Sequence, residues 1–142
     1  MVPMGIDKEQ VLLQIQRLEE SLRAITELST KKHDALRRAA LERQVHIAVE
    51  EVINIGNHFI SGLKLPRADS YREIFHVLEE EKIISSALSQ ELQRFAVFRN
   101  RLVHLYWKIS EKEFTEQLKK IGVLRQFVAV VTKLLKKKKL LP

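Results

Sequence analysis

Asp34 to Leu63 reads DALRRAALERQVHIAVEEVINIGNHFISGL, a long run without a proline. Leu36, Leu41, Val45, Ala48, Val49, Val52, Ile55 and Phe59 recur in it mostly at three- and four-residue steps, the period of an α-helix. Apolar residues on several sides, together with its length, predict a central and largely buried element. Its expected end is Gly62-Leu63-Lys64-Leu65-Pro66, where glycine tolerates a left-handed turn and proline cannot continue the ladder.

The flanks repeat that pattern. Asp7 to Gln10 forms an N-terminal capping box, and Val11, Leu12, Ile15, Leu18, Leu22 and Ile25 follow at helical spacing until Thr30 to His33 interrupt them. Ser70 to Glu73 is a second box, opening a short helix to about Glu80. Ile83, Ile84, Leu88, Leu92, Phe95, Ala96 and Phe98 lead into a fourth helix, expected to carry residues 99–107. Ser110 to Glu113 then opens a last helix through Phe114, Leu118, Ile121, Leu124, Phe127, Val128, Val131 and Leu135. Four glycines, three prolines and no alternating strand pattern complete the expectation of an all-α, up-and-down bundle of four to five helices. At 142 residues it is read as a single domain over 1–142, with a lysine-rich end at about 133–142.

Composition narrows the function classes. The absence of cysteine excludes disulfides and thiolate metal sites and fits a cytoplasmic protein. The start of the chain turns polar at Asp7, Lys8 and Glu9, so a signal peptide is not expected. The longest wholly apolar run, Phe127 to Val131, is far too short for a membrane span. Gly-rich phosphate loops, Gly-x-Ser-x-Gly elbows and His-Glu-x-x-His motifs are absent. The net charge of +7 is concentrated: from Lys119 onward there are eight basic residues and no acids. Such an end suits RNA, an anionic membrane or an acidic partner, or simply a solvated helix terminus whose lysines meet the dipole.

Chemistry gathers in Arg99-Asn100-Arg101-Leu102-Val103-His104-Leu105-Tyr106-Trp107. Arg99 is a permanent cation suited to a phosphate oxygen. His104 is the side chain whose ordinary pKa lets it take and give a proton near neutrality. Because RNA carries its own 2′-hydroxyl nucleophile, proton transfer and charge stabilisation suffice to cleave it. An ideal helix turns about 100° per residue, which stacks Tyr106 nearly above Arg99 and turns His104 about 140° away. One straight helix therefore cannot aim Arg99 and His104 into one pocket. Either the helix deforms at Asn100-Arg101, or a second chain completes the site. By composition Tyr106 is an interfacial aromatic, with its hydroxyl outward. His46, Glu50 and Asn54 step by four along the second helix, which reads as a polar stripe more readily than as a metal site.

These residues carry a resemblance. Glu51 to His58 (EVINIGNH), Leu65 to Phe75 (LPRADSYREIF) and Phe98 to Trp107 (FRNRLVHLYW) resemble, in order and spacing, the HepT-like branch of the HEPN superfamily, from roughly Gln10 to Lys120. The resemblance implies a homodimer whose two copies of the stretch line one cleft. It implies a metal-independent, cofactor-free endoribonuclease toxin, in which Arg99 stabilises the phosphorane, His104 moves protons and Asn100 holds the phosphate or orients His104. It further implies neutralisation by an MntA-like nucleotidyltransferase antitoxin that places AMP on Tyr106. Asn54 and Asn57, with Glu50, are candidates for a supporting shell. Two other readings stay open: a non-catalytic HEPN bundle that binds nucleotide or serves a nucleotidyltransferase, and a membrane-surface scaffold using the basic last helix. The last predicts an exposed apolar stripe from Ile121 to Leu135; the bundle predicts that stripe buried and no stable membrane association.

Overall fold

The computed structural model describes residues 5–140; the outermost residues of the expected domain, 1–4 and 141–142, lie outside the described residues. The chain folds as α1 (Lys8–Leu28), α2 (Ala35–Gly62), α3 (Tyr71–Glu80), α4 (Ser86–His104), a single 3-10 turn (Tyr106–Lys108), α5 (Glu111–Leu118) and α6 (Gly122–Lys137). Five helices begin where the side-chain oxygen of Asp7, Asp34, Ser70, Ser85 or Ser110 accepts a backbone N–H three residues on, satisfying a donor that the first turn leaves orphaned.

Three side-chain bonds fix the direction of α1 against α2. Asp7 N–H donates to His58 Nε2 at 2.9 Å, Ser21 Oγ to Gln44 Oε1 at 2.9 Å, and Arg37 Nε to the Leu28 carbonyl at 2.9 Å. As one partner rises along the chain the other descends in step, so the helices run antiparallel. As its sequence predicts, α2 is central: it packs against α1, α3, α4 and α6. The core includes Phe59, Phe75, Phe95, Phe114 and Phe127, all fully buried. Truncating any one to alanine is a change that costs about 3–5 kcal/mol.

Close packing explains Gly56 in the middle of α2. A Cβ there would stand 2.6 Å from Ile74 Cγ2, a branch methyl of a side chain that is itself buried. Overpacking costs about 1–3 kcal/mol, against about 1 kcal/mol gained in helix propensity. Gly56→Ala is therefore expected to lower the urea midpoint without changing its slope; an unchanged midpoint would show that Ile74 moves aside freely.

The end of α2 corrects one sequence expectation. The left-handed residue is Lys64 (φ 55°), and Gly62 is the last residue of the helix. A Cβ on Gly62 would lie 3.1 Å from the Gly5 carbonyl oxygen, so glycine is needed for the close approach of the N-terminal segment. Lys82 (φ 59°) and Lys139 (φ 62°) occupy the same position after α3 and α6. In all three cases the next N–H reaches back five residues: Leu65 to Ile60 at 2.8 Å, Ile83 to Leu78 at 2.9 Å and Leu140 to Leu135 at 2.9 Å. These are Schellman closures, each with an apolar residue turned back onto the helix.

The segment after Phe98 departs from the sequence reading twice. First, α4 continues unbroken through Asn100 and Arg101 but stops at His104; Leu105 (φ −139°, ψ 35°) leaves the helix, and Tyr106 sits in the 3-10 turn beyond it. The chain turns because Ile109 is buried and because Arg38 of α2 gathers the loop. Its guanidinium meets Glu111 Oε2 at 2.6 Å and the Ile109 carbonyl at 3.3 Å, and lies 4.2 Å from the Phe114 ring centre. Second, the expected last helix is two. Lys120, Ile121, Val123 and Leu124 close with three-residue-back bonds, and Gly122 stands in open space. That offset frees α6 to lay Leu124, Phe127, Val131 and Leu135 against the bundle, all buried. The apolar stripe of α6 is thus covered by its own chain, as the bundle reading expects. Among the described residues no helix is long and apolar enough to cross a membrane.

His58 couples the α1–α2 pair to pH. Burial lowers its pKa below the usual 6.5, against a smaller upward pull from Asp7. Burial likewise lowers that of His46, aided by Arg99 and Arg43 and opposed by Glu50. A histidine with a depressed folded pKa takes up its proton more readily when unfolded, so stability falls as pH drops below about 6.5. The urea midpoint is expected to decline between pH 7.5 and 5.5, and less steeply in His58→Gln. A flat profile over that range would contradict the assignment.

Candidate active site

Arg99 lies one turn inside the end of α4 and is only 15% exposed. Its Nη2 donates to Glu50 Oε1 on α2 at 2.9 Å, and its Nη1 to the Oδ1 of adjacent Asn100 at 3.0 Å. The Tyr71 ring at the start of α3 stands 5.3 Å from its Cζ, close enough for a cation–π contact. Three helices therefore converge on one guanidinium. Its Nε and Glu50 Oε2 are buried without a hydrogen-bond partner, leaving donor and acceptor capacity at the site.

His46 stands one helical turn before Glu50. Desolvation and the positive fields of Arg99 and Arg43 hold it neutral near pH 7. Its Nδ1 is 3.4 Å from Arg43 Nη1. Together with Glu42 and Arg43 it forms one wall of a shallow cleft of about 280 Å³ whose other wall is Leu102, Val103 and Tyr106. The cleft runs along the seam between α2 and the end of α4.

His104 points elsewhere. It is exposed at the last turn of α4 and, by helical arithmetic, about 140° around from Arg99. Since α4 does not deform at Asn100-Arg101, a single chain does not turn both side chains into one cleft. Val103, Leu105, Tyr106 and Trp107 are all exposed around His104, Tyr106 by 58% and Trp107 by 65%. The two rings meet edge to face, centres 5.5 Å apart. Four solvent-facing apolar side chains beside a titratable ring form a patch of the kind that marks a contact surface.

The remaining sequence candidates are placed as follows. Asn100 is exposed and bonded to Arg99. Arg101 is committed to Glu113 through both guanidinium nitrogens, and Glu113 in turn is held below the usual carboxylate range by that contact. Asn54 sits with Glu51, whose pKa burial raises while Arg17 and Asn54 lower it. Asn57 lines a separate cleft with Ser61, Lys64 and Arg67. Of the supporting candidates on α2, Glu50 is the one bonded to Arg99. Among the described residues no group of three His, Cys, Asp or Glu side chains could hold a metal. His46 and Tyr71 are the neighbours that sequence reasoning did not bring to Arg99. The four-residue step from His46 to Glu50 was visible, but nothing local reveals that it faces α4.

A family model described as "Ribonuclease HepT-like" matches residues 11–131, further into α6 than the sequence blocks alone. The Bacillus subtilis (strain 168) protein named "Putative RNase YutE" is 25% identical over 114 residues, covering 80% of this chain and 78% of that protein. Its solved structure, described as a cytosolic protein of unknown function, shares 20% identity at a TM-score of 0.80, covering 94% of this chain and 93% of that one. A tri-AMPylated Shewanella oneidensis HEPN toxin, solved in complex with MNT antitoxin, is 21% identical at a TM-score of 0.80, covering 87% and 96%. At these identities the structural likenesses speak to the fold. With its match running from α1 through most of α6, and Arg99 to Trp107 inside it, the chain belongs to the HepT-like family and has the HEPN fold.

Proposed function

We propose that this chain is the toxin of a toxin–antitoxin pair, an endoribonuclease that works as a homodimer without a metal ion. The observation that carries the reading is the unbroken α4, which turns Arg99 and His104 to different sides within a patch of exposed Val103, Leu105, Tyr106 and Trp107. A second copy laid across that patch brings the Arg99 of one chain toward the His104 of the other. His104 then takes the proton of the 2′-hydroxyl or protonates the 5′-oxygen leaving group. Arg99, screened from water and steadied by Glu50, stabilises the charge that builds on phosphorus. Asn100 adds an amide to the same phosphate. Products are a 2′,3′-cyclic phosphate, or the 3′-phosphate formed from it, and a 5′-hydroxyl.

The partner is a nucleotidyltransferase antitoxin that transfers AMP to Tyr106, an exposed phenol on the cleft wall. The Shewanella toxin named above is AMPylated and bound to such an antitoxin, which supports this assignment by likeness of fold. Cleavage of single-stranded RNA by the purified chain in EDTA, with a cyclic phosphate in the products, is the expected result. Loss of cleavage on chelation would refute the metal-independent chemistry.

One observation favours the second reading, a non-catalytic nucleotide binder serving a nucleotidyltransferase: Arg99 is already paired with Glu50. On that reading RNA is bound but never cut, and His104→Ala changes nothing.

A further inference from the structure

We infer that Arg43 and His46 on α2 form a phosphodiester-binding subsite in the cleft that also holds Tyr106; this rests on the ribonuclease-toxin reading above.

The arginines along the α2–α4 seam are mostly spoken for. Arg38 is paired with Glu111 and Glu42, Arg99 with Glu50, and Arg101 with Glu113. Arg43 forms no ion pair among the described residues; its recorded polar neighbour is the His46 ring. The carboxylate in the cleft wall, Glu42, faces Arg38 at 3.7 Å. An exposed guanidinium with an imidazole beside it, above a wall of Leu102 and Val103, offers a planar fork plus a further ring N–H. A phosphodiester carries one negative charge and two equivalent oxygens, which suits that fork. With His46 neutral near pH 7, the subsite meets the phosphate with one full charge, supplied by Arg43.

Tyr106 forms part of the facing wall, so two phosphodiesters can reach this subsite. One belongs to the substrate strand. The other is the ester that links a nucleotide to Tyr106 itself. If both use Arg43, modification blocks RNA by occupying a phosphate site as well as by bulk.

The test uses the full chain, Arg43→Ala and Arg43→Lys. A 2′-O-methyl oligoribonucleotide, which lacks the nucleophile and cannot be cut, is titrated by fluorescence anisotropy over a salt series. In parallel, 31P NMR is recorded on protein adenylylated at Tyr106. Arg43→Ala is expected to weaken oligonucleotide binding about fivefold or more and to reduce the salt slope by about one ion. Arg43→Lys should keep most of that slope. An unchanged oligonucleotide affinity with a shifted 31P resonance in Arg43→Ala assigns the subsite to the Tyr106-linked ester. No change in either measurement overturns the inference. Failure of all three proteins to bind the oligonucleotide instead refutes the ribonuclease reading, and the NMR comparison alone then decides the subsite.

Discussion

An equimolar mixture of Arg99→Ala and His104→Ala chains is expected to recover about a quarter of parental RNA cleavage, although each variant alone is nearly inactive. Removing a general acid–base group costs about 10²–10⁴-fold, and removing a donor that stabilises developing charge about 10²–10³-fold. Because α4 is unbroken through His104, neither variant can rebuild a site within one chain. In the proposed dimer each site takes Arg99 from one chain and His104 from the other. A mixed dimer then keeps one complete site of two, and random assortment makes about half the dimers mixed. Arg99→Ala also leaves the Glu50 carboxylate without its cation, so Arg99→Lys is the folding control. It keeps the charge against Glu50 and loses the bidentate fork. Native mass spectrometry establishes that mixed dimers form; mixed dimers without recovery would sink the shared site.

What the sequence made legible follows from how local each determinant is. Helix starts were readable because a capping side chain and its N–H donor lie three residues apart, although Ser85 escaped notice beside the apolar run it introduces. The centrality of α2 was readable because apolar residues on several faces have nowhere to go except inward. The stop of α4 at His104 was not, since Ile109 and Arg38 enforce it and Arg38 lies far away in sequence. Gly62 looked like the left-handed residue because glycine is cheapest there. The structure instead places lysine in that conformation three times, the Schellman bonds offsetting about 1–2 kcal/mol of strain. The split between α5 and α6 falls at residues 119–121, just before Gly122, whose signal is weak inside a continuing helical period. Within the candidate site, the Arg-x4-His spacing could be read from the chain. The Arg99–Glu50 pair could not, because it joins residues on two helices through tertiary packing alone.

Tyr106→Phe is expected to separate toxicity from its control completely: growth arrest persists, and co-expression of the nucleotidyltransferase no longer relieves it. Nucleotidyl transfer requires the phenol oxygen. That oxygen attacks the α-phosphorus of ATP, the new O–P bond forms as the bond to pyrophosphate breaks, and the phenol proton passes to a base. Phenylalanine has no oxygen to enter this exchange. The substitution is also mild for the fold: Tyr106 is exposed, sits in a one-turn 3-10 segment, and keeps its edge-to-face contact with Trp107 through the ring alone. The adduct it prevents brings phosphate negative charge to the wall shared with Arg43 and His46, within the field of Arg99. Relief of arrest that survives in Tyr106→Phe would mean that the antitoxin acts by binding or at another residue. A non-toxic Tyr106→Phe chain with an unaltered melting curve would instead make the hydroxyl part of the cleavage chemistry, and peptide mass spectra of the co-expressed parent locate the adduct independently of growth.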